Sequence, residues 1–147
     1  MLLKLFVAWL VMAFCVAVHA SGVAVALRWV RRRRILTHRF RPWTWLFVRL
    51  AGWIVLLHLI EIAGWALLYV AAGAMTDLQS AAYFSAVTYT TTGYGDLLLP
   101  RTWQLVGAVE ALTGILMCGW STGFFVAIVS EMLHDRQSEG SDVGAVD

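Results

Sequence analysis

Three apolar runs divide this chain, and each is long enough to cross a lipid bilayer. The first extends from about Leu5 to Leu27, the second from about Trp45 to Ala72 and the third from about Trp103 to Leu133. A helix of about 20 apolar residues spans the roughly 30 Å of hydrocarbon in a membrane. The predicted class is therefore an all-α membrane protein with three transmembrane helices. Hydrophobic residues make up 61% of the chain and charged ones 14%, against about 45–50% and about 25% in a soluble domain. Once the apolar runs are set aside, no soluble core remains. There is no nucleophile–base set or metal cluster outside them, so no enzyme is predicted, and no cofactor.

Charge sets the orientation. Seven of the eleven basic residues fall between Arg28 and Arg41, at Arg28, Arg31, Arg32, Arg33, Arg34, Arg39 and Arg41. The positive-inside rule places such a loop on the cytoplasmic side. Residues 1–27 are then an N-terminal anchor with its N-terminus outside, and 28–44 a basic cytoplasmic loop that contacts anionic lipid headgroups. The alternative is a cleaved signal peptide, for which Val18, His19 and Ala20 before Ser21 supply a cleavage pattern. Arg28, Arg31 and Arg34 recur every third residue as in a voltage sensor, but Arg32 and Arg33 fill the gaps, and a solvated anchor is the reading kept. Nucleic-acid binding is not predicted. The C-terminal tail, 134–147, returns to the cytoplasm, and the whole sits in the cell inner (plasma) membrane.

Between the second and third runs lies Asp77 to Tyr89, too short to span. Thr76 and Gln79 form a capping box at its start, T-x-x-Q, with Thr76 as the cap. Such a helix is re-entrant, and its partly negative C-terminal end favours cations. It stops at T-T-T-G-Y-G-D, Thr90 to Asp96. Non-helical backbone at membrane depth is tolerated only where protein packs on it or water lines it. Gly93 and Gly95 take positive φ at little cost. Placed alternately, they let successive carbonyls point to one side, an oxygen ladder that replaces the hydration shell of a cation.

These residues resemble a known family. T-T-G-Y-G-D, Thr91 to Asp96, is similar to the selectivity filter of potassium channels, usually T-V-G-Y-G-D. The likeness covers Tyr83 to about Leu133, and the whole resembles the small bacterial two-helix-pore potassium channels (ion channel 2 family) with an additional N-terminal helix. The resemblance implies a pore domain over 45–133, with an outer helix at 45–72, a pore helix at 77–89, a filter at 91–96 and an inner helix at 103–133. It implies a homotetramer that conducts K+ as its permeant ion. Thr91, Thr92, Gly93, Tyr94 and Gly95 form the filter, with K+ held by the carbonyls of Thr91, Thr92, Gly93 and Tyr94. Tyr94 is expected to pack behind the filter against aromatics such as Phe84 and Tyr89, and Asp96 to lie at the outer mouth. Two departures stand out. Thr92 replaces the usual valine, which leaves a less selective cation channel open. Val87 replaces a glutamate of some relatives, so Tyr83 is expected to hydrogen-bond Asp96 instead. A non-conducting membrane subunit is the reading from a different class.

The third run carries a stripe of small residues: Gly107, Ala111, Gly114, Cys118 and Ser121. Close helix packing explains it, and the resemblance adds a hinge at Gly114. Ionisable residues at membrane depth are functional candidates with partners inside the bundle. Glu110 is expected to brace the filter from behind through Thr88, Tyr89 or His58. His58 and Glu61 share a helix face and can pair. Their H-x-x-E spacing is half of a metal site, without further ligands in the neighbouring sequence. Cys15 and Cys118 make no C-x-x-C motif and read as small packing residues.

Overall fold

The structure is a computed structural model that describes residues 1–34 and 42–143, with side chains described except at 33–34, 42–43, 132 and 135–143. The elements are α1 (Leu2–Arg34), α2 (Pro42–Ala71), α3 (Leu78–Tyr89), a 3-10 turn (Arg101–Trp103) and α4 (Gln104–Val143). No strand occurs among the described residues. Three stretches are long and apolar enough to cross a membrane: Leu2–Arg32, Thr44–Ala71 and Arg101–Glu131. The fold is all-helical, and the chain is a multi-pass membrane protein.

The helices do not end where the apolar residues end. α1 continues past Leu27 to Arg34, so Arg28, Arg31 and Arg32 stand on its last turns, with Arg31 and Arg32 exposed. The remaining residues expected to meet lipid, the side chains of Arg33 and Arg34 together with Arg39 and Arg41, lie outside the described residues. Pro42 opens α2, a position where its missing N–H costs no helical hydrogen bond. α4 likewise runs beyond Leu133 to Val143.

The start of α3 differs from the capping box that the sequence suggests. Asp77, not Thr76, is the cap: its backbone is extended (φ −136, ψ 151) and its side chain accepts from the Ser80 N–H at 2.7 Å. A carboxylate at the positive end of a helix is the better acceptor. The Ser80 N–H in turn holds the Asp77 carboxyl below its ordinary range.

Residues Met1–Met117 form one compact unit and Cys118–Asp147 a second. Within the first, α1 and α2 are antiparallel. Phe14 lies against Gly64, His19 meets Glu61, and Trp53 Nε1 donates to the Gly22 carbonyl at 3.0 Å. A Cβ on Gly22 would overlap the Leu57 side chain. α3 is antiparallel to α2, with Ser85 Oγ donating to the Ile62 carbonyl at 2.9 Å and Tyr89 reaching His58 at 3.2 Å. α4 runs alongside α3 in the same direction, joined by Glu110 to Ser85 and by Gly114 to Tyr89.

The buried face of α4 in this unit is Val106, Gly107, Glu110, Thr113, Gly114 and Met117. The small-residue stripe expected from sequence is thus displaced by one position at two places. Glu110 is inside where Ala111 was expected, and Met117 is inside while Cys118 is exposed. A buried carboxyl must find donors, and that requirement orients the helix more firmly than small side chains do. In the second unit, Thr122 Oγ1 donates to the Cys118 carbonyl at 3.0 Å, and the Phe124 and Phe125 rings meet edge-on at 5.5 Å.

Gly114 has a strict steric reason. A Cβ there would overlap the Tyr89 carbonyl oxygen, which is backbone and cannot turn aside. Gly52 has nothing within 4 Å of the same position. Gly114→Ala should therefore lower the stability of the detergent-solubilised protein by about 1–3 kcal/mol or more. Gly52→Ala should be neutral or stabilising by up to about 1 kcal/mol. Thermal unfolding of the two variants side by side checks this.

Candidate functional site

The stretch after α3 is built on the carbonyls that the helix end leaves unpaired. Every α-helix ends with carbonyls that lack an intrahelical partner. Here the chain turns back on them. The Thr90 N–H and Thr90 Oγ1 both donate to the Ala86 carbonyl, at 3.1 and 2.7 Å. The Thr91 N–H donates to Thr88 at 2.9 Å, and the Thr92 and Gly93 N–H groups donate to Val87 at 2.9 and 3.3 Å. The C-terminal end of α3 therefore holds four successive residues by their N–H groups. The sequence suggested a helix end acting on cations directly, whereas its carbonyls act first as anchors for the loop.

The loop backbone alternates. φ is +60 at Thr91, +56 at Gly93 and +76 at Gly95, while Thr91 is the one non-glycine residue with positive φ among the described residues. Thr92 and Tyr94 between them thus keep ordinary negative φ. Gly93 and Gly95 occupy this region without a steric cost. Thr91 does not: a β-branched residue there is an outlier, with strain of about 1–3 kcal/mol. Sequence reasoning singles out the two glycines and misses that Thr91 begins the same alternation, because nothing in a threonine announces positive φ.

Side chains fix the flanks of the loop. Tyr83 Oη donates to Asp96 Oδ2 at 2.8 Å, the bond expected in place of the absent glutamate. That bond raises the Tyr83 phenol above its ordinary pKa. Thr92 Oγ1 lies 3.0 Å from Thr90 Oγ1, so its extra hydroxyl is turned toward a neighbouring side chain. Tyr94 is 70% exposed in the single chain, where Phe84 meets Tyr69 edge-on at 5.5 Å and Tyr89 bonds Glu61. Of these two aromatics, Tyr89 is buried in the bundle and Phe84 is half-buried. Behind Gly93 and Gly95 runs a groove lined by Tyr83, Phe84, Val87 and Leu98.

Two buried polar clusters tie α3 to the neighbouring helices. In the first, Glu110 accepts from Tyr69 Oη at 2.6 Å and from Ser85 Oγ. The partners expected for it were Thr88, Tyr89 or His58, and none of them is the one found. Ser85 lies one helical turn before Tyr89, on the face of α3 that α4 covers, and is among the carboxyl's nearest donors. In the second, Glu61 is the centre. Its Oε1 lies 2.9 Å from His19 Nδ1, its Oε2 accepts from Tyr89 Oη, and His58 Nδ1 stands 3.6 Å away. The expected His58–Glu61 pairing is thus the longer arm of a larger network. His19, fully buried on α1, reads in the sequence only as a polar interruption of the first apolar run. The signal is present all the same, since an ionisable residue at membrane depth calls for a partner.

A helix too short to span thus lies among longer apolar helices and ends in a loop of alternating backbone. The chain belongs to the ion channel family, whose sequence profile, described as "Ion channel", matches residues 41–131. No curated protein matches the chain, and no solved structure does. The matched region takes in α2, α3, the loop and most of α4. α1 lies outside it.

Glu110 and Ser85 should behave as one unit. Glu110→Ala leaves the buried Tyr69 hydroxyl without its acceptor and Ser85 with the Ile62 carbonyl alone, and should cost about 1–3 kcal/mol for the unmet group. Ser85→Ala should cost less, and the double variant less than the sum of the two, as for residues in contact. Chemical unfolding of the three variants in detergent measures the coupling, and strict additivity would show that the two do not act together.

Proposed function

We propose that the protein is a potassium-selective channel, four copies around one axis, each contributing Thr91 to Gly95 to a shared filter. The alternation of positive φ at Thr91, Gly93 and Gly95 carries the reading. When every second residue is left-handed, successive carbonyls turn to the same side, and four such ladders can replace the water shell of a bare cation. The N–H groups of Thr91, Thr92 and Gly93 are taken up by α3, so the polar face left to the axis is that of the carbonyls. K+ would bind at the Thr91, Thr92, Gly93 and Tyr94 carbonyls, and Asp96 would form an acidic ring at the mouth. Tyr94, exposed on one chain, would be covered by a neighbouring copy. Ions would pass down their gradient by mutual repulsion between adjacent sites, with no reaction catalysed.

The orientation rests on the same contacts. Lys4 Nζ donates to the Thr102 carbonyl at 3.3 Å and sits 4.3 Å from the Trp103 ring. The start of α1 is therefore at the end of the bundle where the loop meets α4. With the arginines of the other end in the cytoplasm, the N-terminus and the filter mouth face outward and the C-terminus inward, in the cell inner membrane. His19 and Gly22 pack into α2, which favours α1 as a retained anchor over a cleaved signal peptide.

A second reading, a weakly selective monovalent cation channel, is favoured by one observation. Thr92 carries a hydroxyl bonded to Thr90, where relatives carry valine. Purified protein in liposomes decides between them. Opposed K+ and Na+ gradients should give a reversal potential near that of K+, and Gly95→Ala should reduce the current because a Cβ at its φ of +76 is strained. Equal permeability that becomes K+-selective in Thr92→Val would establish the weakly selective channel. No current in any gradient would establish a non-conducting subunit.

A further inference from the structure

The cluster around Glu61 has the composition of a metal site. His19, His58 and Glu61 each offer one ligand atom, and these atoms lie within 4.8 Å of one another. Tyr89 Oη adjoins them, bonded to Glu61 and 3.2 Å from His58 Nδ1. His19 and Glu61 are fully buried, and the His58 side chain is 18% exposed. We propose that His19, His58 and Glu61, with Tyr89 as fourth ligand, bind one Zn2+-like divalent transition-metal ion, pinning α1 and α2 to the C-terminal end of α3.

Four physical points support this. First, the donor set is two imidazoles and a carboxylate, which suits zinc-like ions rather than Mg2+ or Ca2+. The arrangement of three protein ligands with a fourth position beside them is that of zinc sites. Second, the distances are within reach of side-chain movement. Two ligands sharing a tetrahedral ion at about 2.0–2.2 Å stand about 3.3–3.6 Å apart, so a pair at the 4.8 Å limit closes by about 1.2–1.5 Å. Side-chain torsions supply that.

Third, the charges cancel. A dipositive ion, the Glu61 carboxylate, a Tyr89 phenolate and two neutral imidazoles sum to zero, the only total that a membrane interior accepts at low cost. On binding, the Tyr89 phenol releases its proton to water, and the His19 proton that Nδ1 shares with Glu61 moves to Nε2, so that each neutral imidazole is protonated at Nε2 and turns Nδ1 to the ion. No electron is transferred. Fourth, helical bundles build metal sites from Glu and His three residues apart on an inward face, and His58 and Glu61 have that spacing on α2. His19 supplies the third ligand from a helix outside the family match.

The position gives the ion a consequence. The Tyr89 carbonyl oxygen is the atom that Gly114 accommodates, and Thr91 begins the alternating backbone two residues later. An ion at this cluster would hold Tyr89 from behind and so stiffen the loop through α3. The site stands whether or not the loop conducts.

Full-length protein in detergent, stripped with a chelator and titrated with Co2+, provides the test, because four-coordinate Co2+ absorbs in the visible. One Co2+ per chain is expected, displaced by Zn2+, with an upward shift in unfolding temperature. His19→Gln and His58→Gln each leave an amide that can still bond Glu61, so the chain keeps its fold. Each should weaken binding at least tenfold, and Tyr89→Phe should weaken it less while altering the absorption band. Folded protein that takes up no Co2+, or variants that bind as tightly as the parent, would overturn the site and leave a network held by protons alone. Because the readout is absorption rather than current, a chain that binds Co2+ but conducts nothing would refute only the channel.

Discussion

The last turn of α3 decides the shape of the loop at its end. Its carbonyls at Ala86, Val87 and Thr88 receive the N–H groups of Thr90 to Gly93, and this pins the loop by one side of its backbone. In water those N–H groups would have alternatives, but at membrane depth an unmet polar group costs several kcal/mol. The helix end and the loop therefore satisfy each other. The strain at Thr91 is tolerated because its N–H is fastened to Thr88 while Gly93 and Gly95 continue the alternation freely.

That anchor is itself held in place by buried polar groups. α3 is only 12 residues long and, without a hydrophobic drive between helices in lipid, must be fixed by close packing and hydrogen bonds. Ser85 bonds to Ile62 and Glu110, and Tyr89 to Glu61, so one face of α3 is tied to both α2 and α4. Gly114 completes the fit by letting α4 lie on the Tyr89 carbonyl. This packing role is visible in the geometry, whereas bending about Gly114 remains a proposal carried by the family likeness. The two acids that looked anomalous in apolar helices are the centres of these ties.

Much of the architecture was legible in the sequence, for clear reasons. The three spans come from length and hydropathy, and Gly93 and Gly95 announce a left-handed backbone because few other residues take it cheaply. The Tyr83–Asp96 bond was legible from one missing partner and one nearby hydroxyl. What failed was long-range pairing. Glu110 finds Tyr69, 41 residues away, and Glu61 finds His19, 42 away, and no periodicity within a helix encodes which faces meet. The cap was misplaced by one residue because Thr76 and Asp77 both form caps, and the extended backbone and carboxylate of Asp77 choose between them. Tyr94 was expected against Phe84 and Tyr89, which in the single chain meet Tyr69 and Glu61.

The central claim is that the Thr91–Gly95 backbone presents its carbonyls to dehydrated cations on a four-fold axis. Anomalous diffraction from crystals grown in Tl+, a K+ surrogate with strong scattering, tests it most directly. The account predicts a tetramer with a column of ion peaks on its axis, level with the carbonyls of Thr91, Thr92, Gly93 and Tyr94. A tetramer with an empty axis, or an assembly in which these carbonyls face protein or lipid, would contradict it.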